Sequence, residues 1–410
     1  MASERILILF SIHFPYHSME QPFLQNEIRF LNEKFDQVYL VPKSIEGDLH
    51  SIPDGIIVDE SLSENLKSIP FSLKLKTLLS FSYIKECAKN KFNPRKIKYA
   101  IASRLAALST RRWLKNFLKD KEHCSTTIYS FWLDSSAFAG VLIKNQLKGV
   151  SVVSRCHNFD LYGNEENGFY IPFQKQIVEG LDAIFPVSYD GVEFIKSNFN
   201  RAKCEPGIMG VAAPSKDNEP STDGVLRIAS CSYLIDRKRV GLLMDGLFHL
   251  AETNSDLQFS WVHIGDGPNR EMLNSKIPNA PKNLKIDFKG SLKNEDVHSF
   301  YQSESVDLFV NTSTKEGTPI SIMEAISYGI PILATAFGGN KEVAERGAGI
   351  CLPQNPAKEE IAEGILSMLE SGKIQLLRKD SKAVWDKYYN SEKNYKQFAA
   401  RLEQINASAN

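Results

Sequence analysis

The stretch VDLFVNTSTKEGTPISIMEAISYGIPILAT, residues 306–335, has two short apolar runs with a polar loop and a longer segment between them. The runs at 306–313 and 331–335 are nearly continuous in apolar character, which is typical of strands that are buried on both faces of a sheet. The segment that begins near Ile320 is long enough for a helix. Strand, helix and strand in this order predict two parallel strands joined by a crossover helix.

The same alternation of short apolar runs and helical segments recurs along the chain of 410 residues. The other runs that we interpret as strands lie at 6–10, 38–41, 127–132, 150–154, 183–188, 226–230, 259–265, 284–290 and 349–353. Repetition of this unit predicts parallel sheets with helices on both faces. The expected fold class is therefore α/β, with two doubly wound, Rossmann-like domains that face a cleft.

The domain boundaries follow from a change of composition near the middle of the chain. Residues 210–224 are rich in Pro, Ser, Asp and Gly and lack periodicity, which is typical of a linker. We therefore assign residues 1–209 to the first domain and residues 225–380 to the second. Residues 381–410 form a terminal helical region with many aromatic side chains, and the sequence by itself allows this region to pack locally.

Composition excludes several classes of protein. Lys+Arg and Asp+Glu both number 49, so there is no global attraction to nucleic acid. The six cysteines are scattered without a CxxC pair or a Cys/His cluster, which argues against a disulfide framework or a zinc site and fits a reducing cytoplasm. No apolar run approaches the ~20 residues of a membrane-spanning helix. We expect a cytoplasmic protein, or one bound peripherally at the inner face of the plasma membrane.

The loop and helix after the strand at 306–313 hold the first candidate site. Amides at the start of a helix lack intrahelical acceptors and favour an anion. Glu324 lies about one turn into the helix, where its carboxylate could accept two hydrogen bonds from a vicinal diol such as a ribose. Glu316 could reach hydroxyls at the other end of the same ligand. Glutamates at this spacing are also common on helix surfaces, so the spacing alone does not decide. The expected anion-binding loop comprises Gly317, Thr318, Pro319, Ile320 and Ser321.

Four segments together resemble a known family. The pattern E-G-T-P-x-S-x-x-E-A at 316–325 closely resembles the donor-binding signature of glycosyltransferase family 4, which comprises retaining enzymes of GT-B architecture. SYLIDRKRVGLLMDGL (232–247), WVHIGDGPNREML (261–273) and SRCHNFDLY (154–162) resemble further family segments in the right order. The likeness covers nearly the whole chain and is weakest between about 45 and 125.

The resemblance implies a division of labour between the two domains. The second domain would bind the nucleotide-sugar donor, with Glu316 on the sugar hydroxyls and Glu324 on the ribose. The first domain would face the acceptor, with His157 beside the donor sugar at the reacting centre. The resemblance further implies that the C-terminal helix at 381–410 crosses back to pack on the first domain.

The residues that would neutralise the donor diphosphate match the family only in part. Lys238 occupies the position of the family's lysine. Tyr233 stands where the family has an arginine, and a phenol supplies no charge at neutral pH. Arg237 or Arg239 could take the place of that arginine, although an R-K-R turn is also what a solvated surface loop would contain.

The remaining candidates lie in the first domain. His157 follows the strand at 150–154, and a lone histidine in such a place is more often structural than catalytic. Its neighbours change this interpretation, because Arg155 could screen phosphate charge and Asp160 could orient a neighbour or a ligand hydroxyl. Glu20, in the loop after the first strand, could contact acceptor hydroxyls or could simply help to start the next helix.

Positive charge is concentrated in one stretch of the first domain. Residues 74–122 contain 14 Lys/Arg against 3 Asp/Glu. A basic amphipathic helix can lie on an anionic membrane surface, but it can equally be an ordinary packed helix with a solvated face. The apolar positions that suggest one helical face are Ile101, Leu105, Leu108, Leu114, Phe117 and Leu118.

Together with these observations, the family resemblance implies a retaining hexosyltransferase that moves a sugar from a nucleoside diphosphate donor to a glycan or lipid-linked glycan. The expected setting is bacterial surface polysaccharide synthesis. The chain has no D-x-D, the usual metal clamp of the other large transferase architecture, so we expect neither a metal nor a cofactor. One alternative is a nucleotide-sugar epimerase or hydrolase of the same architecture. Another is a non-catalytic, nucleotide-sugar-binding partner of a transferase, an idea that only Tyr233 supports.

Overall fold

A computed structural model describes residues 3–16, 20–163, 170–314, 316–317, 319–370 and 372–408. The chain divides into two compact units. Unit 1 comprises Met1–Met209 together with Lys393–Asn410, and unit 2 comprises Gly210–Glu392. The boundary at Met209 lies at the start of the stretch with linker-like composition, and the second boundary lies inside the terminal helical region.

Unit 1 is built on a parallel sheet. Its strands are β1 (Arg5–Ser11), β2 (Gln37–Pro42), β3 (Ile56–Val58), β4 (Ser125–Ser130), β5 (Val150–Cys156) and β6 (Ala183–Pro186). Their order across the sheet is β3-β2-β1-β4-β5-β6. The helices are α1 (Gln21–Asn32), α2 (Ser61–Lys67), α3 (Phe71–Leu78), α4 (Phe81–Lys89), α5 (Pro94–Phe117), α6 (Ser135–Lys144), α7 (Asn158–Tyr162), α8 (Gln174–Gly180) and α9 (Tyr189–Asn198).

Unit 2 repeats this arrangement. Its strands are β7 (Val225–Cys231), β8 (Gln258–Ile264), β9 (Leu284–Gly290), β10 (Leu308–Asn311), β11 (Ile332–Thr335) and β12 (Gly349–Leu352), in the order β12-β11-β10-β7-β8-β9. The helices are α10 (Val240–Thr253), α11 (Arg270–Lys276), α12 (Asn294–Ser303), α13 (Ile320–Ser327), α14 (Gly339–Val343), α15 (Lys358–Met368) and α16 (Lys373–Val384). Short 3-10 or π turns cover Asp236–Lys238, Ile277–Asn279, Ala344–Ala348 and Trp385–Tyr389.

The predicted crossover at 306–335 is present as β10, α13 and β11. Phe309 of β10 pairs in parallel with Ile332 of β11. Helix α13 begins at Ile320, directly after Pro319, whose extended backbone ends the preceding loop. The two parallel, doubly wound sheets confirm the predicted fold class.

The last helix, α17 (Ser391–Ala407), belongs mostly to unit 1. Tyr395, Phe398 and Leu402 are buried in the same apolar cluster as strand residues of β1 and β4. Near the end of the helix, the Asn406 side chain donates to Thr127 Oγ1 over 3.0 Å. A helix from the end of the chain thus completes one face of the first sheet.

Two segments pack differently from what their composition suggests. Residues 210–224 pack on unit 2, where the buried Asn218 side chain donates to the carbonyls of Tyr301 and Glu304, each over 2.7 Å. Helix α5 buries Leu108 and Leu114 and packs Ile101 and Phe117 against the core, so its apolar face is not available to a membrane. Among the described residues, none of the helices combines the length and the hydropathy that spanning a bilayer requires.

Candidate functional site

The candidate site of unit 2 lies at the switch point of its sheet. Strands β7 and β10 are neighbours, and the connections that follow them lead to opposite halves of the sheet. Ligands of doubly wound sheets bind beyond the carboxyl ends of the strands at such a point. The turn after β7 carries Lys238, and the loop after β10 carries Glu316. The sequence therefore places both residues where the fold favours a ligand.

The two loops at the switch point are tied together. Thr312 Oγ1 donates to the carbonyl of Lys238 over 3.1 Å, and the Thr314 amide donates to the carbonyl of Arg237 over 2.8 Å. The Lys238 ammonium forms an ion pair with the Glu316 carboxylate. Their side chains are only 13% and 9% exposed, respectively. A cation and a carboxylate are thus held together in a mostly buried position.

Glu324 lies in helix α13 and is almost completely buried. Its Oε1 accepts a hydrogen bond of 2.7 Å from Asn294 Nδ2, and His298 Nε2 lies 3.9 Å from the same oxygen. Burial raises the pKa of the Glu324 carboxyl to about 7, and the hydrogen bond from Asn294 offsets part of this effect. A buried carboxylate with unused acceptor capacity is suited to bind a pair of hydroxyl donors.

The expected anion-binding loop is described only in part. The first backbone hydrogen bond of α13 runs from the Ile322 amide to the Pro319 carbonyl over 3.1 Å. The amides of Ile320 and Ser321 come before that first bond, as in any helix N-terminus. Gly317 is partly exposed, and Thr318 lies outside the described residues. The backbone oxygen of Glu316 approaches Gly338, where an added Cβ would lie 2.1 Å from it.

The structure separates the two arginines that could complete the diphosphate site. Arg239 is used internally, since its guanidinium donates to the carbonyls of Thr312 (2.6 Å) and Gln354 (2.8 Å). Burial also lowers its pKa from the ordinary value. Arg237 and Tyr233 are exposed on the same turn. Arg237 is therefore the better candidate for the missing family arginine.

In unit 1, His157 follows β5 at the carboxyl edge of the sheet. Its ring packs on Phe131 and Trp132, with centroids 4.7 and 4.3 Å away. Both ring nitrogens are buried, and neither has a hydrogen-bond partner among the residues that the structure describes. Buried polar atoms in native proteins nearly always have a partner. A ligand that donates to or accepts from the imidazole would supply one.

Asp160 orients His157. Its carboxylate accepts from the backbone amides of His157 and Leu133, the latter over 2.7 Å. Asp160 Oδ2 also lies 3.7 Å from His157 Nδ1. The carboxylate thus fixes the start of α7 and the backbone that carries the imidazole.

The predicted phosphate-screening role of Arg155 is wrong. The side chain is completely buried, and its guanidinium is bound by Glu27 (2.7 Å), the Tyr129 hydroxyl (2.8 Å) and the Gly207 carbonyl. The ring of Phe398 covers it at 3.8 Å. An unpaired charge is very costly inside a protein, so Arg155 and Glu27 neutralise each other in the core.

The predicted acceptor contact of Glu20 is also wrong. Its buried carboxylate accepts from the amides of Ile12 (2.9 Å), His13 (2.7 Å) and Phe14 (2.8 Å) and from Trp132 Nε1. Four donors use the full acceptor capacity of a carboxylate. Glu20 also stands at the N-cap position of α1, but its side chain makes no capping hydrogen bond to that helix. It positions the indole on which His157 packs.

An apolar pocket of about 280 Å³ adjoins this part of unit 1. It opens where β4 and β5 end, and Asp160 links it to the surroundings of His157. Larger cavities of about 620 and 490 Å³ lie at the amino ends of the two sheets, away from the predicted sites. The apolar pocket is lined by Ile12, Tyr99, Trp132, Leu133, Phe159 and Tyr170, among others.

Sequence reasoning missed several residues of these sites. Asn294, the hydrogen-bond partner of Glu324, lies at the start of the helix that follows β9. Its place after the end of a strand could have marked it as a candidate. Trp132 follows β4 in the same way. Gly338 belongs to a glycine pair after β11. All three come just after the carboxyl end of a strand, so a systematic reading of those ends would have found them.

Part of the chain matches a known protein family. Residues 215–384 match the family described as Glycosyl transferases group 1. The "Putative colanic acid biosynthesis glycosyltransferase WcaL" of Escherichia coli strain K12 is 23% identical over 262 residues, which are 61% of this chain and 63% of that protein. The chain therefore spans less than two thirds of this relative's length.

Solved structures share the fold at low sequence identity. The lipopolysaccharide outer core galactosyltransferase WaaB, in its apo form, superposes with a TM-score of 0.70 at 16% identity, over 97% of this chain and 99% of that one. Anabaena Alr3699/HepE in complex with UDP gives a TM-score of 0.66 at 15% identity, over 98% and 100%. Residues 215–384, in the second unit, thus match the model of the group 1 glycosyltransferases, and the fold of the chain is GT-B.

Proposed function

We propose that this protein transfers a sugar from a nucleoside diphosphate donor to a glycan or lipid-linked glycan, with retention of anomeric configuration. The observation that carries the proposal is the Lys238–Glu316 pair across the switch point of unit 2, followed in the same crossover by the buried Glu324. The lysine would bind the diphosphate of the donor, the loop carboxylate its hexose and the helix carboxylate its ribose. HepE, which shares the fold although only 15% of its sequence is identical, has been solved in complex with UDP.

The proposed reaction is the one that the resemblance to retaining GT-B enzymes implies. The acceptor hydroxyl oxygen bonds to the anomeric carbon on the face from which the diphosphate departs. The carbon–oxygen bond to the diphosphate breaks, and a diphosphate oxygen takes the hydroxyl proton. Lys238, Arg237 and the first amides of α13 would stabilise the negative charge that develops on the leaving group. Glu316 would orient the sugar hydroxyls. We propose that no metal ion is needed, on the ground that the sequence lacks a D-x-D clamp.

Unit 1 would supply the reacting centre and the acceptor site. His157 offers ring nitrogens that lack protein partners in the described structure, and a hydroxyl of the donor sugar could occupy one of them. The neighbouring pocket of about 280 Å³ is lined largely by apolar side chains. An apolar pocket favours an acceptor with a lipid or another apolar portion over a free oligosaccharide. We therefore favour the lipid-linked form of the acceptor.

The biological setting is proposed by analogy. WcaL is described as acting in colanic acid biosynthesis and WaaB as acting on the lipopolysaccharide outer core. We propose that this protein likewise builds a bacterial surface polysaccharide. Its six cysteines are free thiols, which fits the reducing cytoplasm where nucleotide sugars are made. Peripheral attachment to the inner face of the plasma membrane would bring it to a lipid-linked acceptor.

The proposal is tested by nucleoside diphosphate release from a panel of UDP-, GDP- and ADP-sugars. Each donor is incubated with the purified protein, with and without a lipid-linked acceptor pool and with and without EDTA. We expect release from one donor that depends on the acceptor and is unchanged by EDTA. Release without any acceptor would indicate a hydrolase, and loss of release in EDTA would contradict metal independence. Absence of both release and nucleotide binding would overturn the proposal.

Substitution of the ion pair should separate binding from turnover. Lys238→Ala should weaken nucleoside diphosphate binding by roughly 10- to 100-fold, since a charge-assisted hydrogen bond is worth about 1.5–3 kcal/mol. Glu316→Gln should keep that affinity and lower turnover, because its carboxylate is proposed to contact the sugar. Titration calorimetry and initial rates measure the two effects. Lys282→Ala, an exposed lysine near the opposite edge of the sheet, is the control. Unchanged affinity in Lys238→Ala would remove Lys238 from the diphosphate site.

A further inference from the structure

Helices α3 and α4 of unit 1 turn only part of their apolar surface towards the core. In α3 the buried residues are Leu73 and Thr77, and in α4 they are Tyr83 and Cys87. Each pair is four residues apart, so it marks one face of its helix. These inward faces anchor the two helices to the protein and leave their opposite faces towards solvent.

Large apolar side chains occupy the outward faces. Phe71 is 78% exposed, Phe81 is 81% exposed, and Leu79, in the connection between the helices, is 72% exposed. Leu75 and Leu78 share the outward stripe of α3 with Phe71, because positions four and seven residues on return to the same side of a helix. Ile84 continues the stripe on α4 and is about half exposed. A soluble surface helix normally carries polar residues on this side.

Lysines flank these apolar side chains. In the sequence 71–92 the single acidic residue is Glu86. Glu86 is already engaged, as its carboxylate accepts from the Phe173 amide over 3.3 Å. The outward surface of α3 and α4 is thus apolar at its centre and positively charged around it. Its exposed lysines are Lys74, Lys76, Lys85, Lys89 and Lys91.

We propose that the outward surface of α3 and α4 docks the protein on an anionic lipid bilayer. Apolar side chains that enter the headgroup boundary leave water, and the lysines around them meet negative lipid charge. This is the arrangement of an interfacial helix pair, and it requires no spanning segment. The surface lies within the basic stretch noted in the sequence, but on α3 and α4 and not on α5, whose apolar face is buried.

Charge argues against a second copy of the chain as the occupant. Two copies that paired through this surface would bring their lysines together, and the sole carboxylate of the segment is already bound to Phe173. Like charges at an interface oppose association. An anionic membrane satisfies both the apolar and the cationic parts of the surface.

The test is co-sedimentation of the full-length protein with vesicles, without donor or acceptor. We expect binding to phosphatidylcholine vesicles that contain about one third phosphatidylglycerol, weaker binding to pure phosphatidylcholine, and release by salt. Phe71→Ser with Phe81→Ser should reduce the bound fraction at least tenfold. Lys74→Gln with Lys85→Gln should lower the affinity for anionic vesicles by about 25-fold, at about fivefold for each lysine, and should leave binding to pure phosphatidylcholine nearly unchanged.

A matched control removes exposed apolar side chains from unit 2. Met272→Ser with Leu376→Ser should bind vesicles as the unaltered protein does, since these residues are about half exposed and belong to the other unit. Phe81→Trp provides a second readout that does not weaken the surface. Because the chain already contains four tryptophans, brominated lipid should quench a larger share of the emission in this variant than in the unaltered protein.

Three results would overturn the proposal. The first is absence of vesicle binding by the unaltered protein. The second is vesicle binding that the Phe71→Ser/Phe81→Ser variant retains in full, or an unquenched tryptophan at position 81. The third is a change from dimer to monomer in sedimentation velocity for the same variant, which would assign the surface to a second copy. Because the assay contains no nucleotide, its failure is distinct from failure of the proposed sugar transfer.

Discussion

Replacement of Glu324 by alanine is expected to weaken nucleoside diphosphate binding by roughly 10²- to 10⁴-fold. The carboxylate is proposed to accept two hydroxyl hydrogen bonds from the ribose, each worth about 1.5–3 kcal/mol because the acceptor is charged. Glu324 is buried in α13 and is held by Asn294 over 2.7 Å, so its geometry is fixed before the ligand arrives. Titration calorimetry with UDP, GDP and ADP measures the loss.

The same carboxyl predicts a pH dependence of binding. Its pKa is raised by burial to about 7, so the group is largely protonated in weak acid and ionised in weak base. The ionised form is the better acceptor for two hydroxyls. Nucleotide affinity of the unaltered protein should therefore rise as the pH increases through about 7. Glu324→Gln should remove this dependence.

Stability should change in the opposite direction. The folded-state pKa of Glu324 lies above its ordinary value of 4.5, so the folded protein holds the proton more strongly than the unfolded chain does. The stabilisation is complete below about 4.5 and is lost as the pH rises through about 7. The loss amounts to about 3 kcal/mol at most. This loss is measured by denaturant unfolding of the unaltered protein and of Glu324→Gln at about pH 5 and about pH 8, which bracket the transition.

The control for Glu324 is Glu295→Ala, which removes an exposed glutamate next to Asn294. This variant should bind nucleotide with unchanged affinity. If Glu324→Ala binds as well as the control while both remain folded, Glu324 does not hold the ribose, and the donor site must be placed elsewhere in unit 2.

Replacement of His157 by alanine is expected to reduce the rate of sugar transfer by roughly 10²- to 10³-fold, the range found when one preorganised polar group is removed from a reacting centre. Its ring is fixed by Phe131 and Trp132, and Asp160 fixes its backbone. Nucleotide affinity should stay unchanged, because the proposed partner of His157 is the sugar. Initial rates with the donor identified in the panel, together with calorimetry, separate the two quantities.

Two further variants complete this experiment. His157→Asn keeps a polar group at the same position and should recover part of the rate. His123→Ala removes an exposed histidine of the same unit and should have no effect. A His157→Ala variant that is folded and transfers sugar at the normal rate would show that the imidazole is a packing group only.

Local sequence was informative where strands end. The apolar runs marked the strands, and the residues after them included Lys238, Glu316, Glu324 and His157. The short edge strand β3 was missed, because its three residues are only partly buried and alternate too briefly to show a pattern. The boundary of α13 was predicted well, because proline restricts the residue before it and starts helices readily.

Charged residues were the main source of error. Arg155 and Glu20 looked like site residues because both lie beside strand ends that carry site chemistry. In the fold, Arg155 meets Glu27 in the core, and Glu20 meets three backbone amides and an indole. Partners far apart in sequence, such as Arg155 and Glu27, cannot be read from either segment alone.

The sequence by itself determined the α/β class, the two doubly wound units and the crossover that carries Glu316 and Glu324. These features depend on local periodicity and on short-range turn chemistry, which any segment displays without its neighbours. Tertiary structure decided which polar groups are saturated and which keep unused capacity. Burial and long-range pairing bound Arg155 internally, left the ring nitrogens of His157 without described partners and raised the pKa of Glu324, because desolvation depends on everything packed around a group.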